Sequence, residues 1–254
     1  MSSLKDKIVF ITGASSGIGE ACVKRFAAEG ARVIMAARRI DRLRNLAKNL
    51  NNDSHTIELD VQDKESVDKA ISSLPPQWKE IDVLVNNAGL SRGLDKFHEG
   101  KPADWEEMIN TNIKGLLYVS RAIVPLMVKR GCGQIINVGS IAGHEVYPRG
   151  SIYCATKHAV GALTKGMRLD LVDTPIKVSS VDPGLVETEF SMVRFRGDTD
   201  RAKTVYQGFQ PLTGEDIADA VAWVASRPDH VQVAEVIIMP TAQASATVTH
   251  KETE

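Results

Sequence analysis

The chain has 254 residues, 43% of them hydrophobic, and its 31 Lys and Arg against 32 Asp and Glu give a formal net charge of -1. That length suits one α/β domain or two small ones with a sizeable core. The balanced charge excludes a nucleic acid or an anionic membrane surface held by bulk electrostatics, so the expected partner is a small molecule.

The most apolar stretch, 115–128, is broken by Arg121 and falls short of the roughly 18 residues of a membrane span. The run Ile8-Val9-Phe10-Ile11 is shorter than the about 7–15 residues of a secretory h-region. A cytoplasmic protein without a membrane partner is expected. Cys22, Cys132 and Cys154 lack C-x-x-C spacing and read as packing residues in a reducing compartment. The six histidines show no metal-ligand spacing, and no metal is expected.

In chain order, short β-branched runs at 8–12, 32–36, 55–59, 83–86, 134–138, 177–181 and 235–239 alternate with helical patterns at 17–29, 40–49, 64–73, 104–129, 152–171 and 215–226. Alternation of this kind predicts βαβ units around a parallel sheet, and strands without polar alternation predict a sheet covered on both faces. The fold class expected is a single-domain, doubly wound α/β (Rossmann) fold of about seven strands. Asp104 with Glu107, and Thr213 with Asp216, have the spacing of capping boxes. Pro125 is expected to kink or end the regular part of the fourth helix. No linker or repeat interrupts residues 1–242. The segment 187–212 mixes Phe190, Met192, Phe195 and Phe209 with Arg194, Arg196 and Arg201 and is expected to be a substrate lid. The polar tail 243–254 reads as loose or partner-dependent.

Directly after the first strand comes Thr12-Gly13-Ala14-Ser15-Ser16-Gly17-Ile18-Gly19, followed by a helical pattern. Glycines there allow a tight turn, close approach of a pyrophosphate and close helix-to-strand packing, while the helix N-terminus offers amide donors. Glycine-rich turns are common, but a strand before and a helix after are the context that a dinucleotide site requires. At the end of the second strand a chain selecting NAD would carry Asp or Glu for the ribose hydroxyls. This one reads Ala36-Ala37-Arg38-Arg39. Guanidinium groups bind a 2′-phosphate with paired charge-assisted hydrogen bonds, so NADP is the cofactor expected, with Arg38 and Arg39 on its phosphate.

Tyr153 and Lys157 stand four apart at the start of a helical pattern and so project on one face. A nearby ammonium favours the phenolate; lowering the tyrosine by about two pH units takes roughly 2.7 kcal/mol. Tyr-x-x-x-Lys alone is a common accident on helices. Here it follows a dinucleotide cradle and a strand ending Asn137-Val138-Gly139-Ser140, whose serine faces the ligand crevice of such folds.

Taken in order, these residues resemble the short-chain dehydrogenase/reductase family over nearly the whole chain. The resemblance rests on Thr12 to Gly19, Asp60-Val61, Asn86-Asn87-Ala88-Gly89, Asn112, Ser140, Tyr153 with Lys157, and Pro183-Gly184 followed by Thr188. It implies that Asp60 and Val61 contact the adenine and that Asn87, Ala88 and Gly89 pack under the cofactor. Pro183, Gly184, Val186 and Thr188 would embrace the nicotinamide, with Gly13, Ser15, Ser16, Gly17, Ile18 and Gly19 at the pyrophosphate. Tyr153 would be the general base or acid, Ser140 the hydrogen-bond donor to the reacting oxygen, and Lys157 the group that lowers the tyrosine and holds the ribose. Asn112 would hold a relay water. The lid sequence and Met239-Pro240-Thr241 resemble the branch acting on 3-hydroxy acids such as L-serine, L-allo-threonine and 3-hydroxyisobutyrate. Such a substrate needs a cation for its carboxylate, and Arg194 is favoured over Arg196. His144 and Tyr147 should border the pocket. A broad ketone or dicarbonyl reductase and a non-catalytic NADP-sensing protein are the alternatives. Family members usually assemble as dimers or tetramers through their two long helices, so a homotetramer or homodimer is expected.

Overall fold

A computed structural model describes residues 3–252. Seven strands form one parallel sheet: β1 (Ile8–Thr12), β2 (Arg32–Ala37), β3 (Ser54–Glu58), β4 (Val83–Asn86), β5 (Gly133–Val138), β6 (Ile176–Pro183) and β7 (Glu235–Ile238), in the order β3-β2-β1-β4-β5-β6-β7. The winding reverses between β1 and β4. The connections leaving their carboxyl ends therefore turn to opposite faces of the sheet and leave a crevice, the position at which open α/β sheets bind ligands.

The period of two along β1 divides the core. Val9 and Ile11 face one layer with α1 (Gly17–Ala28), α2 (Ile40–Ala47) and α9 (Gly214–Ala225), joined by Phe26, Leu43 and Ile217. Ile8 and Phe10 face the other, with α3 (Lys64–Ser72), α5 (Leu116–Arg130) and α6 (Ser151–Asp170), joined by Val67, Ile123 and Met127. The outer strand β7 alternates in exposure, as an edge with one open face should. Asp63 caps α3 by accepting from the amides of Glu65 and Ser66, at 3.0 and 3.2 Å. Thr213 and Asp216 form the expected capping box on α9. Among the described residues no helix is long and apolar enough to cross a membrane.

Four local expectations are corrected. Asp104 and Glu107 do not cap a helix start. They lie inside α4 (Pro102–Ile109), which opens after Lys101 with Pro102 in its first turn, and both side chains are taken by arginines. The expected single helix at 104–129 is three pieces: α4, a π-helical turn Asn110–Gly115, and α5, which runs through Pro125 to Arg130. The irregularity thus falls at Asn112 rather than at the proline. The tail after Ala242 is packed as far as Glu252. The Gln243 side chain is buried and accepts from the Leu185 amide at 2.8 Å, the Ala246 amide donates to Glu145 at 2.9 Å, and the Glu252 amide donates to the Gly208 carbonyl at 2.7 Å. Thr253 and Glu254 lie outside the described residues. Of the cysteines, Cys22 and Cys154 are buried, but Cys132 is exposed beyond the helix end and fills no core space.

The segment 187–212, expected to be the lid, carries α7 (Phe190–Arg194) and α8 (Thr199–Thr204). Its two ends are tied side by side, since the Glu187 amide donates to Leu212 and the Leu212 amide to Leu185, at 2.8 and 3.0 Å.

Candidate active site

Beneath the lid, at the reversal between β1 and β4, lies a cleft of about 600 Å³. One end is built by the turn after β1. Gly13 has φ of 65°, and a Cβ there would stand 2.9 Å from the Ala88 Cα; one at Gly19 would stand 2.3 Å from the Gly13 carbonyl oxygen. Only glycine permits that turn and that helix approach. Gly13, Ser15, Ser16, Gly17 and Ile18 line the cleft, whereas Gly19 serves the packing of α1 on the turn. Thr12 stitches β1 to β4, its hydroxyl accepting from the Asn87 and Ala88 amides at 3.0 and 2.9 Å. That bond presents Asn87, Ala88 and Gly89 along the cleft floor, and Asp60 and Val61 line its side.

Arg38 and Arg39 leave the end of β2 into the same space. Arg39 donates to the Ser15 and Ser16 hydroxyls, at 3.1 and 2.6 Å, and pairs with Glu189 at 2.9 Å. A bare-backbone cradle followed by two guanidinium groups, with no acid at the end of β2, fits a dinucleotide carrying a 2′-phosphate. Glu189 and Arg42, which pairs with it at 2.7 Å, were not foreseen. Their partners lie 150 and 147 residues apart in the chain, and only the outline of a lid gave a hint of this contact.

At the other end β5 delivers Ser140, and the first two turns of α6 deliver Tyr153 and Lys157; all three are buried and line the cleft. The Ser140 hydroxyl accepts from the Ala142 amide at 3.1 Å and faces the Pro183 carbonyl at 3.4 Å. Lys157 donates to the Val138 carbonyl at 2.9 Å, and its ammonium lies 5.9 Å from the centre of the Tyr153 ring. Pro183, Gly184, Val186 and Thr188 line the wall above. Asn112 sits behind the cleft in the π turn. Its amide holds both backbone groups of Leu90, each at 2.8 Å, and donates to Thr156 at 3.0 Å. It thereby locks the π turn to the loop after β4 and to α6.

Burial dominates the proton chemistry here. It pushes the Tyr153 phenol above its ordinary value, aided by Tyr147, against the hydrogen bond of Ser140 and the charge of Arg194. Burial also brings Lys157 down to about 8, with the charge of Asp182 opposing. Lys157, expected to lower the tyrosine, is itself desolvated and donates to Val138; the hydrogen bond of Ser140 and the charge of Arg194 favour the phenolate, and burial outweighs them.

The lid separates the two candidate arginines. Arg196, with a left-handed φ of 53°, turns away and pairs with the buried Asp104. Arg194 turns inward, donating to the Gly93 carbonyl at 3.0 Å and the Tyr147 hydroxyl at 3.1 Å, with no acidic partner among the described residues. Its guanidinium carbon lies 6.0 Å from the centre of the Tyr153 ring. Tyr147 borders the cleft as expected, while His144 turns behind it to Asp182 and Glu235, at 3.1 and 3.5 Å. These three groups tie the loop after Ser140 to β6 and β7.

A parallel sheet with this crossover, a phosphate cradle and a buried Ser-Tyr-Lys group define a dinucleotide-dependent oxidoreductase. The short chain dehydrogenase model matches residues 7–198, and the chain belongs to that family. It is similar to the NADP-dependent 3-hydroxy acid dehydrogenase YdfG of Salmonella typhimurium, at 46% identity over 240 residues covering 94% of this chain and 97% of that one. It is also similar to the NADP-dependent 3-hydroxy acid dehydrogenase of Schizosaccharomyces pombe, at 43% identity over 251 residues covering 97% of each. Among solved structures, the closed form of serine dehydrogenase complexed with NADP+ superposes with a TM-score of 0.93 at 42% identity, covering 97% of this chain and 100% of that chain.

Proposed function

We propose that this oxidoreductase interconverts a small 3-hydroxy acid, of the class of L-serine, L-allo-threonine or 3-hydroxyisobutyrate, with its carbonyl product. The observation that carries the reading is Arg194, an inward guanidinium without an acidic partner in the same cleft as Ser140, Tyr153 and Lys157. The names of the relatives, NADP-dependent 3-hydroxy acid dehydrogenase and serine dehydrogenase, support it.

NADP is the cofactor, and when bound it supplies the hydride acceptor for oxidation or the donor for reduction. Gly13 to Ile18 hold its pyrophosphate, Arg38 and Arg39 its 2′-phosphate, Asp60 and Val61 its adenine, and Pro183 to Thr188 its nicotinamide end. Arg194, steadied by Tyr147, binds the substrate carboxylate and sets the hydroxyl carbon against the cofactor. Ser140 donates a hydrogen bond to the reacting oxygen. In oxidation Tyr153 takes the hydroxyl proton as the carbon gives up hydride; in reduction it returns that proton. Lys157 holds the ribose, and Asn112 keeps the π turn in register with α6, with the freed π-turn backbone as the site of a relay water. The exposed apolar residues Leu117 and Leu126 on α5 and Leu169 on α6 support a homodimer or homotetramer joined through these helices, and the protein is read as cytoplasmic.

A turnover panel with NADP+ and NAD+ in parallel tests the reading. Hydroxy acids should exceed their uncharged amide or alcohol analogues by about 10- to 100-fold in kcat/KM, the worth of one charge-assisted contact of roughly 1.5–3 kcal/mol. Equal or better turnover of uncharged ketones and dicarbonyls would replace it with a broad carbonyl reductase.

A further inference from the structure

Each guanidinium nitrogen of Arg39 has a partner. Nε and Nη2 reach the Ser15 and Ser16 hydroxyls of the phosphate cradle, and Nη1 reaches Glu189. Glu189 in turn lies against Arg42 with both oxygens, at 2.7 and 2.9 Å. A carboxylate carried by the lid therefore sits on the arginine that, in the reading above, takes the cofactor's 2′-phosphate. Its carboxyl is held below its ordinary value: burial works the other way and is outweighed by the hydrogen bonds of Arg42 and Arg39. The next residue, Phe190, rests on Tyr153 with ring centres 5.7 Å apart.

We propose that Glu189 determines cofactor selectivity by acting as an internal stand-in for the 2′-phosphate, holding Arg39 until the phosphate exchanges with it while Arg42 retains the displaced carboxylate. Two anions competing for one guanidinium oppose each other, whereas Arg42 lies one helical turn along α2 and leaves Glu189 a partner after the exchange. The affinity for a 2′-phosphate is thus a net quantity, reduced by the pair that must open. Affinity for a cofactor without that phosphate is not reduced, because the Arg39–Glu189 pair then stays closed. The inference rests on the assignment of Arg39 to the phosphate.

Equilibrium titration with 2′,5′-ADP, 5′-AMP, NADPH and NADH tests it without turnover. Glu189→Gln should bind 2′,5′-ADP and NADPH about 3- to 10-fold more tightly and leave 5′-AMP and NADH within twofold. The gain should vanish in the Arg39→Ala/Glu189→Gln pair, because the two residues then share no interaction to lose. If Arg39→Ala alone leaves the preference for NADPH over NADH unchanged, the phosphate assignment itself fails. If Arg39→Ala abolishes that preference but Glu189→Gln binds 2′,5′-ADP no better than the parent, or less well, the exchange is wrong and Glu189 only braces the lid.

Discussion

The two ends of the cleft are built on opposite principles. At the phosphate end Arg39 and Glu189 are each more than two-fifths exposed, water screens every pair, and no single contact is strong. At the reaction end Ser140, Tyr153 and Lys157 are buried, and desolvation alone moves two proton affinities by more than any neighbouring charge does. In the proposed reading, selectivity is assembled from several exchangeable ion pairs, whereas reactivity depends on a few buried groups. Phe190, one residue from Glu189, packs on Tyr153 and so stands between the two ends.

The buried end should fail abruptly. Tyr153→Phe removes the phenol proposed to take the hydroxyl proton, and kcat should fall by about 10²- to 10⁴-fold. NADPH affinity, measured by fluorescence titration, should stay within twofold; turnover within tenfold of the parent would break the assignment.

Lys157 tests whether desolvation governs this end. Its pKa is depressed from 10.5 to about 8, so the unfolded chain binds more protons between those values and this group adds stability as pH rises through that window. Below about pH 8 its penalty is fully present, at about 3 kcal/mol, set against about 1 kcal/mol for the bond to Val138. Lys157→Met should therefore be inactive yet more stable than the parent by about 2 kcal/mol at pH 7. That advantage should shrink as pH approaches 10.5. A variant less stable at pH 7, by chemical denaturation, would show that the ammonium is better solvated than its burial implies.

How much of this was legible in the sequence follows from the same contrast. Strands such as Ile8–Thr12 and Val83–Asn86 were readable because central parallel strands are apolar on both faces. The glycine turn and the Tyr153–Lys157 pair were readable because their geometry is local to one turn or one helix. What stayed hidden depends on contacts between distant segments. Glu189 looks like any surface acid until the topology sets it on Arg39 and Arg42. Gln243 looks like part of a polar tail until it is seen holding the Leu185 amide. The π turn at Asn112 left no mark either, because Asn110–Gly115 continues the pattern of a regular helix and only the bonds from Asn112 to Leu90 and Thr156 reveal why it is there. The proton affinities were only partly legible for a related reason: spacing gives the neighbour of a group but not its burial.

Arg194 stands between the extremes, half-buried and charged. Arg194→Ala should raise KM for L-serine about 10-fold or more with a smaller change in kcat, whereas Arg196→Ala should leave KM within twofold. The second variant should lose stability instead, since Asp104 is buried and would be left unpaired. An unchanged KM for Arg194→Ala would remove the carboxylate clamp.

The smallest effect belongs to the exposed end and sharpens the comparison most directly. The screening length is about 10 Å at 0.1 M ionic strength and about 3 Å at 1 M, and exposed pairs weaken accordingly while buried groups do not. Raising salt from about 0.05 to 0.5 M should weaken 2′,5′-ADP binding several-fold through Arg38 and Arg39. The same change should leave kcat at saturating NADP+ and hydroxy acid within about 1.5-fold, because Tyr153 and Lys157 lie beyond the reach of counterions. A salt-sensitive kcat with salt-insensitive 2′,5′-ADP affinity would invert the roles of the two ends. It would mean that the reaction end opens to solvent when the lid moves, and that the phosphate is held by the backbone cradle of Gly13 to Ile18 rather than by guanidinium groups.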